Sequence, residues 1–336
     1  MHVTIKDIAE RAGVSMMTVS RVINNSGYVA TKTRETIEQV IAELNYRPNL
    51  LARGLINKKS SFISVIVPDI SNPFYGELTK GVETVARQHG YNIILSSAHW
   101  EESLEREHIE AALSRMAEGI ILVLPKISSR IIAKYAQSIP IVLVDKYSTA
   151  STFGTIYVNQ KRGVQLGIEH LISLGHTRIA YLSGSEYIYN SLIRQQGYES
   201  TLLKHGIPID ETIIFKGDFT FESGEQAFAS MLKLPKRQRP TALFAASDLM
   251  ALGFIRGAVR NSLRIPEDIS IVGFDDIFLA SVINPPLTTV RHPYIKMGQE
   301  AMKHLLCTLG VTEESAERPV LENTLIVRET TAPVSR

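Results

Sequence analysis

The sequence of 336 residues is poor in several features that define whole classes of protein. Its single cysteine, Cys307, leaves no partner for a disulfide within the chain, which agrees with a reducing cytosol. No apolar run approaches the roughly 18 residues that a membrane-spanning helix needs. No apolar secretory segment follows the start, where Lys6 already brings a charge. We therefore expect a cytoplasmic protein without membrane association.

Motifs of common enzyme classes are missing as well. The sequence has neither a GxGxxG nor a GxxxxGK[ST] loop for phosphate groups, and it has no GxSxG nucleophile turn. Its nine histidines form no HExxH zinc motif. These absences favour binding over catalysis, so we expect no enzyme activity, no cofactor and no metal.

Length and charge indicate a chain of several parts. Hydrophobic residues make up 44% and charged residues 21%, an ordinary globular composition, and the length favours two or three domains. Residues 1–60 hold 9 Lys and Arg against 5 Asp and Glu, a net charge of +4, whereas the whole chain carries only +2. A basic head on a slightly acidic body indicates that the head binds a polyanion.

The head, residues 1–46, has the pattern of three helices. Ile5, Ile8, Ala9 and Ala12 recur at helical spacing after Thr4, a good N-cap, and Gly13 can end this helix in a left-handed conformation. Ser15 can cap a second helix in MMTVSRVIN, and ATKTRETIEQVIAELNY predicts a third. Two helices joined by a short Gly-containing turn are typical of a helix-turn-helix.

The run TIKDIAERAGVSxxTVSRVINN, followed by TKTRETIEQVIAELNYRPN, resembles the DNA-binding head of the lactose-repressor/galactose-repressor family of bacterial transcription regulators. The resemblance implies backbone-phosphate contacts, which set register without reading sequence, at Thr4, Ser15, Ser20, Thr33 and Arg34. It also implies that Arg21 reads guanine, and that Asn24 and Tyr28 touch the backbone or flanking bases. For the Ser and Thr residues, helix capping is the alternative role, and both roles can coexist.

Two methionines, Met16 and Met17, are adjacent at the start of the second helix. The same resemblance implies that this helix enters the major groove and that the two methionines occupy the positions that vary with operator sequence. Methionine cannot form bidentate hydrogen bonds to bases, but it can contact a thymine methyl group. We hypothesise that these residues favour A·T-containing steps or exclude polar partners. The alternative is that one methionine packs into the core of the head and the other is an idle helix former.

The connector, residues 47–60, follows with NYRPNLLARGLINKKS. Pro48 suits the first turn of a helix of only about two turns, which is marginal in water without a partner. By resemblance, this hinge helix forms on the operator, pairs with its twin in a homodimer and enters the minor groove, where a leucine wedges between base steps. The matching leucine is Leu55, and further contacts are expected from Asn49, Ala52 and Arg53. A plain linker is the alternative.

The body, residues 61–336, alternates short apolar runs with helical stretches. ISVIVP, NIILSS, GIILVL and PIVLVD form one series of predicted buried parallel strands, and RIAYLSG, TIIFKGD, ALFAAS and SIVGFDD form a second. Repeated βα units predict open parallel sheets with helices on both faces, here two Rossmann-like subdomains. Such sheets bind ligands at the carboxyl ends of their strands.

The body also resembles the periplasmic-binding-protein fold that this family carries, with a sugar site between two subdomains. The fold class is therefore an all-α helix-turn-helix head plus an α/β body of periplasmic-binding-protein type. We expect an N-subdomain at about 61–158 and 288–318, and a C-subdomain at about 159–287 and 319–336. Residues suited to a sugar, as aromatic plates or hydrogen-bonding groups, are Asn72, Phe74, Tyr75, Asp145, Arg194, Phe219, Ser247 and Asp275.

Several of these positions have open alternatives. Lys146 and Ser247 depart from the pattern of relatives that bind free pentoses, and Lys146 either favours an acidic ligand or is simply solvated. Arg194 and Asp275 could form a structural ion pair instead of a ligand site. We expect Asp248 and Asp276 to cap helices rather than touch ligand.

The sequence thus predicts a homodimeric regulator, a repressor, that binds double-stranded operator DNA under allosteric control by a small effector: a sugar, sugar acid or sugar phosphate. One alternative keeps the head and makes the body a docking surface for a regulatory protein. Another, an enzyme fused to a DNA-binding head, has no catalytic motif to support it.

Overall fold

The computed structural model describes residues 3–46, 60–146, 153–313 and 321–334. They fall into two compact units, Met1–Ser60 and Ser61–Arg336. The first unit is helical in its described part, and the second is α/β with two sheets. The predicted fold class is therefore confirmed.

The head contains three helices, and local side chains set where they begin. These helices are α1 (Ile5–Ala12), α2 (Met16–Ile23) and α3 (Thr31–Glu43). Thr4 and Asp7 form a reciprocal capping box at α1, and the side chain of Ser15 accepts a hydrogen bond from the Thr18 amide at α2. Gly13 ends α1 with φ +66°, a conformation that favours glycine. The predicted caps are confirmed.

A small apolar core holds the three helices together. Each helix contributes two buried residues to it, which are Ile8 and Ala9, Val19 and Val22, and Ile37 and Val40. In α2 and α3 the two core residues are three positions apart, which places them on one face of the helix, whereas Ile8 and Ala9 of α1 are adjacent. The opposite faces, including the first turn of α2, remain in solvent.

The first half of the body is a five-stranded parallel sheet in the order β2-β1-β3-β4-β5. Its strands are β1 (Phe62–Val67), β2 (Asn92–Ser97), β3 (Gly119–Val123), β4 (Ile141–Val144) and β5 (Gly154–Ile156). Its helices are α4 (Pro73–Gln88), α5 (Glu102–Ser114), α6 (Ser129–Tyr135) and α12 (Tyr294–Thr308). Central strands are apolar on both faces because helices cover both sides.

The second half is a six-stranded sheet in the order β11-β10-β9-β8-β6-β7, parallel except for β11. Its strands are β6 (Ile179–Leu182), β7 (Ile214–Phe215), β8 (Ala242–Ala245), β9 (Ser270–Asp275), β10 (Thr288–Arg291) and β11 (Thr324–Ile326). Its helices are α7 (Gln160–Ser173), α8 (Tyr189–Lys204), α9 (Phe221–Leu232), α10 (Asp248–Arg260) and α11 (Phe278–Val282).

The chain crosses between the halves three times. It leaves the first sheet after β5, returns from β10 to α12, and rejoins the second sheet at β11, which pairs antiparallel with β10. Helix α12 packs into the core of the first half through residues such as Met297 and Leu305. Several crossings form a hinge about which two halves can close.

The prediction that NIILSS is a buried strand is wrong. Residues of β2 are half-buried or exposed, with Leu95 42% exposed. The reason is its position, because β2 is an edge strand that pairs only with β1.

Candidate functional site

Helix α2 presents both methionines to solvent. Met16 is 57% exposed and Met17 is 66% exposed, and neither belongs to the apolar core of the head. The alternative in which one of them packs into that core is therefore wrong. Their contact with bases stays a prediction.

The other residues of the head that are predicted to contact DNA lie before and after these methionines in the sequence. Arg21 and Tyr28 are exposed, Tyr28 at 89%, and the Asn24 amide donates to the Ser20 hydroxyl at 3.1 Å. Thr33 and Arg34 lie half-buried in the first turn of α3.

Thr4 and Ser15 act as helix caps, so the capping role weighed for them is present, and each is exposed at its helix start. The predicted hinge contacts Asn49, Ala52, Arg53 and Leu55 lie outside the described residues.

In the body, most predicted effector residues lie where strands end. Asp145 directly follows β4, Asp275 ends β9, and Asn72 caps α4 after β1. Phe219 follows β7 and Ser247 follows β8, whereas Arg194 is on α8. Carboxyl ends of parallel strands open onto one crevice, which is where such folds bind ligands.

Asp145, from the first half, is buried against donors of the second half. One carboxylate oxygen accepts from the Gln160 amide at 2.7 Å, and the other accepts from the Asn190 amide at 2.7 Å. The residue is 4% exposed. A buried carboxylate needs such partners, because an unpaired charge is costly to remove from water.

Arg194 extends this polar network inside the second half. Its Nε donates to Gln160 Oε1 at 2.9 Å, and one Nη donates to the carbonyl of Ala246 at 2.5 Å. The same Nη lies 3.7 Å from Asp275 Oδ1, and the guanidinium stacks 3.8 Å from the centre of the Phe274 ring. The ion pair considered as an alternative is therefore present.

Asp275 also bonds across the halves, because the hydroxyl of Tyr294 on α12 donates to it. Burial raises the pKa of Asp275, although the positive charge of Arg194 opposes this. Burial, and next the charge of Asp275, raise the pKa of Tyr294 well above its ordinary value, so its hydroxyl remains a donor. Three donors, Gln160, Asn190 and Tyr294, thus join the halves through two carboxylates.

A cavity of about 490 Å³ lies between the halves. Of the predicted residues, Asn72, Tyr75 and Phe219 line it, and Asp145 lines a neighbouring cavity of about 200 Å³. Residues that both cavities share include Trp100, Lys126, Tyr187 and Ile188. Arg194, Asp275 and Ser247 are buried, and so is Phe74, whose ring packs 4.1 Å from that of Tyr294.

Sequence reasoning missed Trp100, Tyr187, Gln160, Asn190 and Tyr294. Trp100 had a usable signal, because it closely follows β2, another strand that ends at the crevice. The others lie at or just before helix starts, and only the packing of the two halves brings them to the site.

Backbone conformation at the strand ends is unusual. Leu124, Asp145, Phe219 and Asp275 all have positive φ, between 45° and 122°. Non-glycine residues adopt such angles at a cost, and they concentrate at ligand sites.

The expected capping roles of two aspartates are wrong. Ser247 caps α10, whereas Asp248 accepts from the Ile277 amide at 2.9 Å and from the Thr289 hydroxyl at 2.6 Å. Asp276 instead pairs with Arg291 and Arg328. Both carboxylates serve contacts between segments distant in the chain.

Lys146 is not a simple solvated lysine. Its ammonium donates to the carbonyls of Pro125 and Ile127, at 2.8 and 2.9 Å. Burial lowers its pKa.

In the described residues, no helix is long and apolar enough to cross a membrane. The same residues contain no group of three or more His, Cys, Asp or Glu side chains placed to hold a metal ion.

Comparison with known families gives two matches along the chain. Residues 4–49 match the bacterial regulatory proteins of the lacI family, and residues 168–331 match the periplasmic binding protein-like domain.

Among characterised proteins, the chain is 35% identical over 324 residues to catabolite control protein A of Priestia megaterium, covering 96% of both chains. It is also 35% identical over 331 residues to the HTH-type transcriptional repressor CytR of Escherichia coli K12, covering 98% of this chain and 96% of that one.

Two solved structures are similar over the body or the whole chain. A lac repressor dimer bound to operator and the anti-inducer ONPF superposes with a TM-score of 0.86 and 30% identity, covering 99% of this chain and all of that one. A LacI family regulator from Enterococcus faecium with bound ribose has a TM-score of 0.74 and 30% identity, covering 82% of this chain and all of that one.

Proposed function

The chain belongs to the LacI family of bacterial transcription regulators, and from this premise we propose that it represses transcription as a homodimer under the control of a sugar-type effector. The head binds operator DNA, and the cavity between the halves of the body binds the effector. Because its relatives are regulators of transcription, we also propose that it acts in the cytoplasm and catalyses no reaction.

For the DNA, we propose that α2 enters the major groove with Met16 and Met17 against base edges and Arg21 reading guanine. The exposure of both methionines supports this, since an apolar face left in solvent is available for thymine methyl groups. The other predicted head residues set register on the backbone. We retain the division into a head (1–46), a hinge (47–60) and a body (61–336), with Leu55 as the minor-groove wedge.

The dimer follows from the likeness to the operator-bound lac repressor dimer. Two heads on a twofold axis imply a pseudo-palindromic operator, with half-sites related by the symmetry of the protein.

For the effector, the ribose-bound relative supports a sugar in the same cleft. In this chain, Asn72, Tyr75, Asp145 and Phe219 line the cleft cavities. Aromatic faces and carboxylates suit the C–H faces and hydroxyls of a sugar ring. We propose that Phe74, Arg194, Ser247 and Asp275 act from beneath this surface.

The observation that carries the proposal is the bonding of two carboxylates across the halves under the cavity. A ligand hydroxyl that binds Asp145 competes with Gln160 and Asn190 of the second half. Effector binding therefore exchanges bonds between the halves and shifts their closure, and the hinge converts this shift into a change of operator affinity. Coupling is reciprocal, so DNA changes effector affinity by the same factor.

The test uses the full chain and an operator selected from random-sequence DNA. Operator affinity is measured by fluorescence anisotropy with and without free sugars, for the wild type and for Arg194→Ala, with Arg260→Ala, at an exposed position of α10, as a control. We expect a sugar to change wild-type and control affinity and to leave Arg194→Ala unaffected. A full response in Arg194→Ala rejects the assignment of the site.

A further inference from the structure

Three cations lie in or beneath the cleft, Lys126, Lys146 and Arg194. Which of them can meet a ligand decides whether the site accepts an anion. Their partners in the structure answer this.

Lys146 lines the smaller cavity, but its ammonium is held by hydrogen bonds to the protein. Its ammonium donates to two carbonyls of the segment 125–127, and the carboxylate of Glu105 accepts from two amides of the same segment, those of Lys126 and Ile127, at 2.7 and 2.8 Å. Glu105 is 2% exposed. The two side chains hold this segment between them, and the ammonium of Lys146 is turned onto carbonyl oxygens.

Arg194 is unavailable for a similar reason. Its Nε donates to Gln160, its Nη donates to Ala246 and faces Asp275, and the side chain is almost fully buried. A ligand anion would have to break this buried network to reach the guanidinium, which is costly. Only the exposed Lys126 offers a free ammonium among the cations of the described cleft.

Carboxylates outnumber cations on the walls. Asp69, Asp218 and Glu222 line the larger cavity, and Asp145 lines the smaller one. Burial acts to raise the pKa of Asp218, but hydrogen bonds from Thr220 prevail and lower it below its ordinary value, so this side chain is ionised. The walls therefore present negative charge to a ligand.

Aromatic rings form a further part of the cavity surface. Tyr75, Trp100, Phe219 and Phe221 line the larger cavity, with Tyr187 at its mouth, 79% exposed. Such rings pack against the flat face of a sugar or a base.

On the basis of the proposed function, we propose that the cleft selects an uncharged polyhydroxylated ring, a free sugar or a nucleoside, and rejects its phosphorylated or carboxylated forms. Lys146 contributes to this selection because it forms part of the cavity wall while its ammonium is held by two carbonyl oxygens, so its charge is not offered to a ligand. Negative charge at the walls acts against an anion, and the described residues of the cleft offer no free guanidinium to bind one.

The experiment measures binding of matched pairs to the full-length protein. Trp100 is the only tryptophan of the sequence and lines both cavities, so its emission reports on the cleft, and thermal unfolding provides a second readout. The pairs are ribose with ribose 5-phosphate, glucose with glucose 6-phosphate and gluconate, and cytidine with its 5′-monophosphate. Comparing the sugar pairs with the nucleoside pair shows whether the bound ring is that of a free sugar or of a nucleoside.

We expect a neutral member to bind with saturation and its charged counterpart to bind roughly tenfold or more weakly. Equal or tighter binding of a charged member overturns the inference, yet leaves the cleft as an effector site. Failure of every pair to change either readout counts against the proposed function itself, and the inference falls with it.

A variant that reverses one charge at the cavity wall tests the electrostatic basis of the selection. Glu222 lies in the first turn of α9, exposed and without an ion pair in the described structure. We expect Glu222→Lys to narrow the ratio of neutral to phosphorylated affinity severalfold, whereas Glu107→Lys, at an exposed position of α5 outside the cavities, leaves the ratio unchanged. An unchanged ratio in Glu222→Lys, with a neutral ligand still bound, contradicts the electrostatic basis of the selection.

Discussion

The head and the body are stabilised by contacts of very different reach along the chain. In the head, the capping bonds of Thr4 with Asp7 and of Ser15 with Thr18 join residues three positions apart. In the body, the bonds that build the site join Asp145 to Asn190, 45 positions away, and Arg194 to Ala246, 52 positions away.

This difference decides how function and stability are related in each region. The proposed DNA contacts Met16 and Met17 are exposed and outside the core, so they can change without loss of folding. The proposed effector residues Asp145, Arg194 and Asp275 are buried and charged, so a change there alters both binding and stability. Operator specificity can therefore change at lower cost than effector specificity.

The largest effect on stability is expected for a change of Arg194, and it tests the contrast between head and body most directly. Arg194→Ala leaves Asp275 buried without its cationic partner, which costs about 3–5 kcal/mol. Chemical denaturation followed by circular dichroism measures the loss. Arg260→Ala, whose pairing with Glu225 is exposed, should cost less than about 1 kcal/mol. Similar stability of the two variants would mean that the site does not stabilise the body.

A large-to-small substitution in the core of the head tests how far the stability of the head depends on that small core. Ile37 is fully buried, and Ile37→Ala should cost about 2–5 kcal/mol, enough to unfold so small a core. DNA binding should be lost while the body keeps its thermal transition. The matched variant Ile271→Ala, in the core of the second half, should lower that transition and leave DNA binding by the head intact. Undiminished DNA affinity in Ile37→Ala would contradict this expectation.

A cap of the head is expected to have a more moderate effect. Ser15→Ala removes the side-chain acceptor for the Thr18 amide and should cost about 1 kcal/mol. Amide exchange along α2 measures the fraying. Ser15→Asn supplies another good capping side chain and should restore protection, whereas equal exchange in both variants would argue against the cap.

Acid should weaken the body more gradually. His176 bonds to the side chains of Thr241 and Ser270, and burial lowers its pKa below the ordinary value of about 6.5. Below that value the unfolded chain binds a proton that the folded body does not, so stability falls as pH decreases. Thermal unfolding between pH 7.5 and 5 should show this loss, and His176→Gln should reduce its slope. Residues 3–46 contain no histidine, so the head lacks this contribution.

The smallest effect on stability is expected at the two methionines. The free energy of unfolding of the double variant Met16→Gln, Met17→Gln should lie within about 0.5 kcal/mol of the wild-type value, because both side chains are exposed. Operator selection from random DNA should nevertheless return a different sequence. The same operator from both proteins would show that these residues do not read bases.

Predictions succeeded where one segment carries its own information. Thr4, Gly13 and Ser15 mark helix ends through bonds and angles set by nearby residues, and apolar runs such as those of β3 and β4 mark buried strands. They failed where position in the sheet matters. The apolar pattern of β2 does not reveal that it is an edge strand, and Asp276 looks like a cap although it pairs with Arg328, 52 positions away.

Periodicity, capping residues and apolar runs were enough to determine the helical head, the two series of βα units and the strand ends at which a ligand site could form. These features depend on short-range backbone geometry and on side-chain period. Tertiary structure alone decided that Gln160, Asn190 and Tyr294 bond to two carboxylates across the halves, and that the ammonium of Lys146 is held by two carbonyl groups. Such contacts form between segments that are far apart in the chain and that only the packing of the two sheets brings together. No local sequence pattern encodes which segments will meet.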